Sequence, residues 1–366
     1  MATRGVIVVG IYGVVMTGFL LEAQDKHASR RDRLLPALGR RIGLAGLTEH
    51  LDRTATAVDV PGSVAAFSWD DADQHDATWM PQGVTTSADA RRDEDAHTML
   101  VSWYRKDAAG RDADCRVTVV DRRDPGAPRY AHVHLVEPGR RWWRLGVHER
   151  SVPVHAGGIA WWGTTLLVAS TRFGLRVFDL DDIVRAPSGR LLLPQSGAHR
   201  GVTSGTPRPL RWSFLSLDRT DPAQPWLVAG EYSREGTGAR IARFPLDPAT
   251  GRPAGARCPA AEVIETGISS MQGATRVDGV YQISASRGAK RPGNLYTGGT
   301  GGFTRHAGAL PVGPEDLSYE PRGDRLWTVT EYPGHRVVVA VPRPPHPSPV
   351  TGTAPRPGGR EAVDDP

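Results

Sequence analysis

Pro81-Gln82-Gly83-Val84, His155-Ala156-Gly157-Gly158-Ile159, Trp212-Ser213-Phe214-Leu215, Met271-Gln272-Gly273-Ala274 and Pro314-Glu315-Asp316-Leu317 are five versions of one short pattern. Each is a polar head, mostly flanked by Gly or Pro, that runs into an apolar strand. A second strand follows every head: Leu100–Arg105, Leu167–Arg172, Leu227–Tyr232, Tyr281–Arg287 and Trp327–Tyr332. Third strands are expected at Arg116–Val120, Leu175–Leu180, Arg240–Leu246, Asn294–Thr297 and Arg336–Val341. They are short and rich in Val, Ile, Tyr, Trp and Thr, with turn residues between them. The heads recur at intervals of roughly 43–73 residues, the range in which one propeller blade needs about 40–50. A unit of this size cannot bury its own apolar face, so its repetition predicts an all-β propeller rather than separate domains.

The wide interval after the first head leaves room for an outer strand at Tyr130–Val136. The fifth module has three evident strands before the chain turns Pro-rich. Ala57–Trp69, upstream of the first head, has the apolar residues to supply the missing outer strand. Closing the ring this way removes an exposed sheet edge. Five blades are therefore preferred, and a sixth, degenerate blade between Val58 and Trp79 is the alternative. The propeller is assigned to residues 57–341.

Around it lie an N-terminal segment, 1–23, a charged lead-in, 24–56, and a Pro- and Gly-rich tail, 342–366, expected to be disordered. Gly5–Leu21 is charge-free and mostly apolar behind Arg4, and Glu22 ends it. A basic start with a short apolar core reads as an export signal cleaved after Ala23, with an uncleaved membrane anchor as the alternative. The expected location is extracellular. In the lead-in, His27–Arg41 is expected to be flexible or helical and Leu44–Leu51 to add a short helix. Ala186–Pro209 reads as a long insertion.

With 45 basic and 40 acidic residues the net charge is only +5, and no basic cluster is interleaved with aromatics, which argues against nucleic acid as a partner. Export would allow the two cysteines, Cys115 and Cys258, to form one disulfide; two buried free thiols are the other reading. No cysteine or histidine spacing matches a zinc site, and no nucleophile elbow, P-loop or zincin helix is present.

In a propeller the innermost strand of each blade lines the central channel. Equivalent heads therefore gather Gln82, His155, Ser213, Gln272 and Glu315 at one mouth, with Asp316 beside Glu315. Glu315 and Asp316, with amide oxygens nearby, are the candidate ligands for a hard cation such as calcium. His155 is the candidate general base. Glu231 and Glu331 end matching second strands, each followed by Tyr. They are read either as two further carboxylates in a shared pocket, suited to acid/base work on sugars, or as ion-pair partners of Arg105, Arg172 and Arg287. His132 and His134 share one strand face but lack a third ligand. Trp142-Trp143 and Trp161-Trp162 are read as blade packing or as exposed surfaces for sugar or partner binding.

His132–Pro138, His155–Ile159, Gly174–Leu180, Met271–Gly273 and Gly313–Leu317 resemble a family of secreted bacterial propellers of uncharacterised activity, over most of Pro81–Val341. More distantly, the Pro-Glu-Asp head resembles those of calcium-dependent lactonases and gluconolactonase-like propellers. The resemblance implies oxygen ligands for calcium at the blade heads. Two functions follow as expectations. The first is a binding module that presents a polar channel mouth to a carbohydrate or protein. The second is a metal-assisted lactonase- or esterase-like hydrolase.

Overall fold

Thr98–Lys106 is buried without a break from Met99 to Tyr104. A strand buried on both faces needs cover on both sides, and its alternate residues find different partners. Leu100 packs in a cluster with Ile159, Trp161 and Val168. Met99, Val101 and Trp103 pack with Trp327, Val329 and Val338. Each sheet is thus sandwiched between two others, as blades around a ring are.

The computed structural model describes residues 18–24, 26–91, 96–139, 148–205, 208–221 and 223–345. Its main strands fall into five antiparallel groups of four within three sheets, because parallel pairs join the first group to the second and the third to the fourth. The first comprises Trp79–Thr86, Thr98–Lys106, Asp112–Asp121 and Arg129–Gly139. The second comprises Ile159–Trp162, Thr165–Ser170, Gly174–Asp179 and Leu191–Thr203. The third runs through Phe214–Asp218, Trp226–Gly230, Arg240–Pro245 and Glu262–Glu265. The fourth runs through Met271–Val277, Val280–Ala285, Pro292–Gly299 and Gly302–Val312. The fifth pairs Ser318–Glu320, Arg325–Val329 and Val338–Pro342, and takes its outer strand, Ala65–Ser68, from the N-terminal side. Between Val58 and Trp79 there is only this strand and a helical turn, Asp71–His75.

Apolar cores fill every gap between neighbouring blades. Leu167 and Val177 meet Leu215 and Phe244 between the second and third. Phe214 and Ile241 meet Tyr281 and Ile283 between the third and fourth. Leu295 and Leu310 meet Leu317 and Val339 between the fourth and fifth. At the ring's centre the heads approach so closely that side chains are excluded. A Cβ built on Gly158 would lie 2.0 Å from the Leu215 backbone nitrogen, and one on Gly273 would lie 2.5 Å from Asp316 Cα. Glycine at the heads serves this approach rather than a turn.

One expectation differs from the structure, one pair of alternatives is decided by it, and one expected segment overlaps it. The supposed insertion contains the 13-residue outer strand Leu191–Thr203, whose Leu191-Leu192-Leu193 start is buried while Gly, Pro and Arg mask its strand character. Cys115 and Cys258 are free and buried, in strands on different blade interfaces. The expected export segment overlaps the fold: Phe19–Ala23 is a strand between Leu191–Thr203 and Arg257–Pro259, with Leu21 fully buried. Phe19 and Leu21 alternate with more exposed neighbours, so the end of the apolar run works as a half-buried strand. Cleavage after Ala23 would remove it. Residues 5–17 of that segment, Trp142-Trp143 and the tail from 346 lie outside the described residues.

The lead-in forms the helix Lys26–Leu38, whose Leu34 and Leu38 pack on Val136 and Leu192, and a shorter helix at Gly43–Leu47. No helix among the described residues is long and apolar enough to cross a membrane.

Candidate functional site

Because the first two strands of each blade are antiparallel, the start of the inner strand lies beside the end of the second. Both therefore open at the same channel mouth. A cavity of about 1060 Å³ occupies that mouth. It is lined by all five heads, Gln82, His155, Ser213, Gln272 and Glu315, and also by Glu331.

The floor is acidic and buried. Glu315 is 2% exposed, and Gln272 Nε2 donates to its Oε1 at 3.0 Å. Burial, followed by repulsion from the Glu331 and Asp316 carboxyls, pushes the Glu315 pKa well above the usual carboxylate range. Glu331 accepts from Gln82 Nε2 at 3.4 Å and from the Tyr332 hydroxyl. Burial raises its pKa too, while His155 and these two hydrogen bonds oppose the rise. Tyr332 in turn is pushed up to about 12, by burial first and then by Glu331 and Glu315.

His155 is held against Tyr104, with ring centroids 3.9 Å apart, and its Nδ1 lies 3.6 Å from Asp112 Oδ1. Burial, followed by the same two acids and Asp112, raises the Tyr104 pKa. Tyr104, Asp112, Arg172, Phe173 and Tyr232 complete the wall. They come from the ends of second strands and the turns after them. Antiparallel pairing was the signal that could have found them.

Two expected site residues are elsewhere. Asp316 is fully buried and does not line the cavity; its Oδ2 accepts from the Ile159 backbone N–H at 3.4 Å, and Oδ1 has no partner. Glu315 and Asp316 precede the strand Ser318–Glu320, and Asp316 turns into the packing between heads, where the Ile159 backbone meets it, while Glu315 faces the mouth. Glu231 is 1% exposed and locked in an ion-pair network with Arg240 at 2.7 Å and Arg208 at 3.0 Å, with the Arg211 N–H as a third donor. Glu231 and Glu331 therefore share no pocket, and the partners of Glu231 are not the arginines expected from the strand ends. Arg105 instead reaches Asp114 at 3.4 Å.

Calcium does not fit these donors. Asp316 is turned away, Glu315 is already bonded by an amide N–H, and no group of three or more His, Cys, Asp or Glu among the described residues is arranged to hold a metal ion. His132 is also unavailable to a metal. Its Nε2 bonds Asp73 and its Nδ1 bonds Thr118, and burial lowers its pKa to about 4. Trp161 and Trp162 are both buried, so they pack blades. The one large apolar residue found exposed among those described is Val64, so the aromatic surface expected of a binding module is confined to the cavity wall.

No protein-family model matches the sequence, and no curated protein does. Solved structures similar to the chain include the GH43_1 enzyme of Xanthomonas citri, at 12% identity over 73% of this chain and 88% of that one, with a TM-score of 0.39. A gluconolactonase from Xanthomonas campestris is similar at 12% identity over 80% of this chain and 85% of that one, with a TM-score of 0.33. The Cps50 (Swd1) beta-propeller domain of Myceliophteria thermophila is similar at 11% identity, 79% and 98% coverage and a TM-score of 0.34. Superpositions this loose carry no argument about activity. The chain is an all-β propeller on the pairing of its own strands.

Proposed function

We propose that the protein is a carbohydrate-binding propeller whose channel mouth holds a polyhydroxylated ligand. The observation that supports this is the convergence of all five heads on one cavity. Amide, hydroxyl, imidazole and carboxyl groups there stand beside the rings of Tyr104 and Tyr232. Sugars need such a mixture, because their hydroxyls both donate and accept while their C–H faces pack on aromatic rings. The test is calorimetric titration of the full chain with neutral and acidic oligosaccharides. Gln82→Ala or Gln272→Ala should weaken binding about fivefold, the loss of one net hydrogen bond. Absence of binding by any saccharide overturns the reading.

One observation favours hydrolysis at the same site. Glu315 and Glu331 line one cavity, and each has a raised pKa. Glu315 is the better shielded and is the proton donor of choice; Glu331, next to His155, is the carboxylate that would act as base or nucleophile. Metal-free hydrolysis of aryl glycosides or lactones, abolished in Glu315→Gln, would support this. Activity unchanged in that variant would remove Glu315 from the chemistry.

A further inference from the structure

The cavity changes sign from floor to rim. Its floor carries Glu315 and Glu331, while Lys106, Arg172 and Arg211 stand on its exposed edge. None of these three side chains forms an ion pair or hydrogen bond among the described residues. Lys106 rests its ammonium over the Tyr104 ring at 5.6 Å, and both residues line the mouth. Arg211 and Tyr232 also belong to an adjoining depression of about 520 Å³, which adds Arg234.

Two acids lie near this edge. Asp112 faces His155, and Glu235 lies in the adjoining depression without an ion pair. The cations therefore outnumber the acids that could neutralise them. A second concave surface is more nearly balanced. In a separate cavity of about 380 Å³, Arg122 and Arg325 are held by Glu320 and Arg123 by Asp121, which leaves a single arginine, Arg322, without an ion pair among the described residues. Even within the main cavity the Arg111 charge is used, on Asp107 at 2.8 Å. Unmatched cations gathered at one opening repel one another unless an anion joins them.

We infer that the ligand is an acidic saccharide, oriented with its hydroxyl-rich end on the floor and its carboxylate at the rim among Lys106, Arg172 and Arg211. The inference rests on the saccharide reading above and narrows it. An acid placed deep would meet Glu331 and Glu315, whereas at the rim it meets guanidinium groups whose paired N–H donors match a carboxylate. The same geometry gives a neutral sugar the floor contacts alone.

The test uses the full chain at pH 7 and two matched probes, cellobiouronate, which carries a single terminal carboxylate, and its carboxyl-reduced neutral counterpart, cellobiose, titrated at low and at high salt. The acidic probe should bind about tenfold tighter at low salt, with the gap closing at high salt because rim charges are screened. Arg172→Gln and Arg211→Gln should each narrow the gap between the acidic and the neutral probe. Both substitutions are at exposed positions, and unchanged melting curves establish that the variants are folded. Equal binding of the two probes, or tighter binding of the neutral one, overturns the inference but leaves the saccharide reading standing. Binding of neither overturns both.

Discussion

Replacing Glu315 by glutamine removes an ionisable group but keeps its shape and its ability to accept the Gln272 N–H. In the folded chain the carboxyl titrates well above its usual range, because ionising it there means placing charge in a buried site beside Glu331 and Asp316. In the unfolded chain it titrates normally. Between the two pKa values the folded state holds a proton that the unfolded state has lost. Stability therefore falls as pH rises, by about 1.4 kcal/mol per pH unit, and levels off once the folded-state pKa is passed.

Glutamine carries no such penalty. Wild type and Glu315→Gln should melt together near pH 4, where the acid is neutral in both states. Above that pH the variant should gain by roughly 2–3 °C per pH unit until the curves run parallel. The measurement is paired thermal unfolding at pH 4, 5, 6, 7 and 8, read as the difference between the two proteins, so that groups common to both largely cancel. A variant less stable than wild type at pH 8, or a difference flat across the series, refutes the argument. Either result would mean that the buried carboxyl is held as an anion.

Gly158→Ala should cost at least about 3 kcal/mol, because its methyl meets the Leu215 backbone and not a movable side chain; a wild-type melting curve would contradict the close-packed ring. A chain beginning at Gln24 should be markedly less stable than one beginning at Gly18, since Leu21 alone, if cut to alanine, should cost roughly 2–5 kcal/mol. N-terminal sequencing of exported protein should accordingly find Phe19 retained. Asp73→Ala should cost roughly 3–5 kcal/mol by leaving the buried Arg116 uncompensated, whereas Arg53 keeps Asp70 as its partner. Despite burial, hydrogen bonds and charge from His132 and Arg116 hold the Asp73 pKa below the ordinary range. Its contribution is thus fully present above the usual carboxylate pKa and is lost only as pH falls through that lowered value. Acid titration of wild type and variant by circular dichroism would measure this.

The ring of head residues was legible in the sequence because repetition makes positions equivalent, so Gln82, His155, Ser213, Gln272 and Glu315 converge without any knowledge of contacts. What repetition cannot supply is the direction of a side chain once a local partner competes for it. Glu231 and Glu331 hold equivalent positions, yet Arg240 on the adjacent strand captures the first and none captures the second. Asp316 was misplaced for a simpler reason: it lies in the irregular head before the strand, where packing against the neighbouring Ile159 backbone, and not the repeat, sets its direction. Leu191–Thr203 and Phe19–Ala23 were hidden by context: one lies among turn-forming residues and the other at the end of an export-like run.

The pairing of Ala65–Ser68 with Val338–Pro342 has a kinetic consequence. The strands meet across about 270 residues, a closure whose entropic cost is on the order of 5 kcal/mol before any contact forms. During synthesis the first of them leaves the ribosome long before the last exists, so four blades stand ready while the fifth lacks its edge. An open arc of this kind exposes unpaired backbone at both ends and can join to a second arc as readily as to itself. Intermolecular strand exchange is therefore the failure this topology invites. Closing the ring is a late, slow event, and a permuted chain that begins between two blades would replace that long-range step with a hairpin.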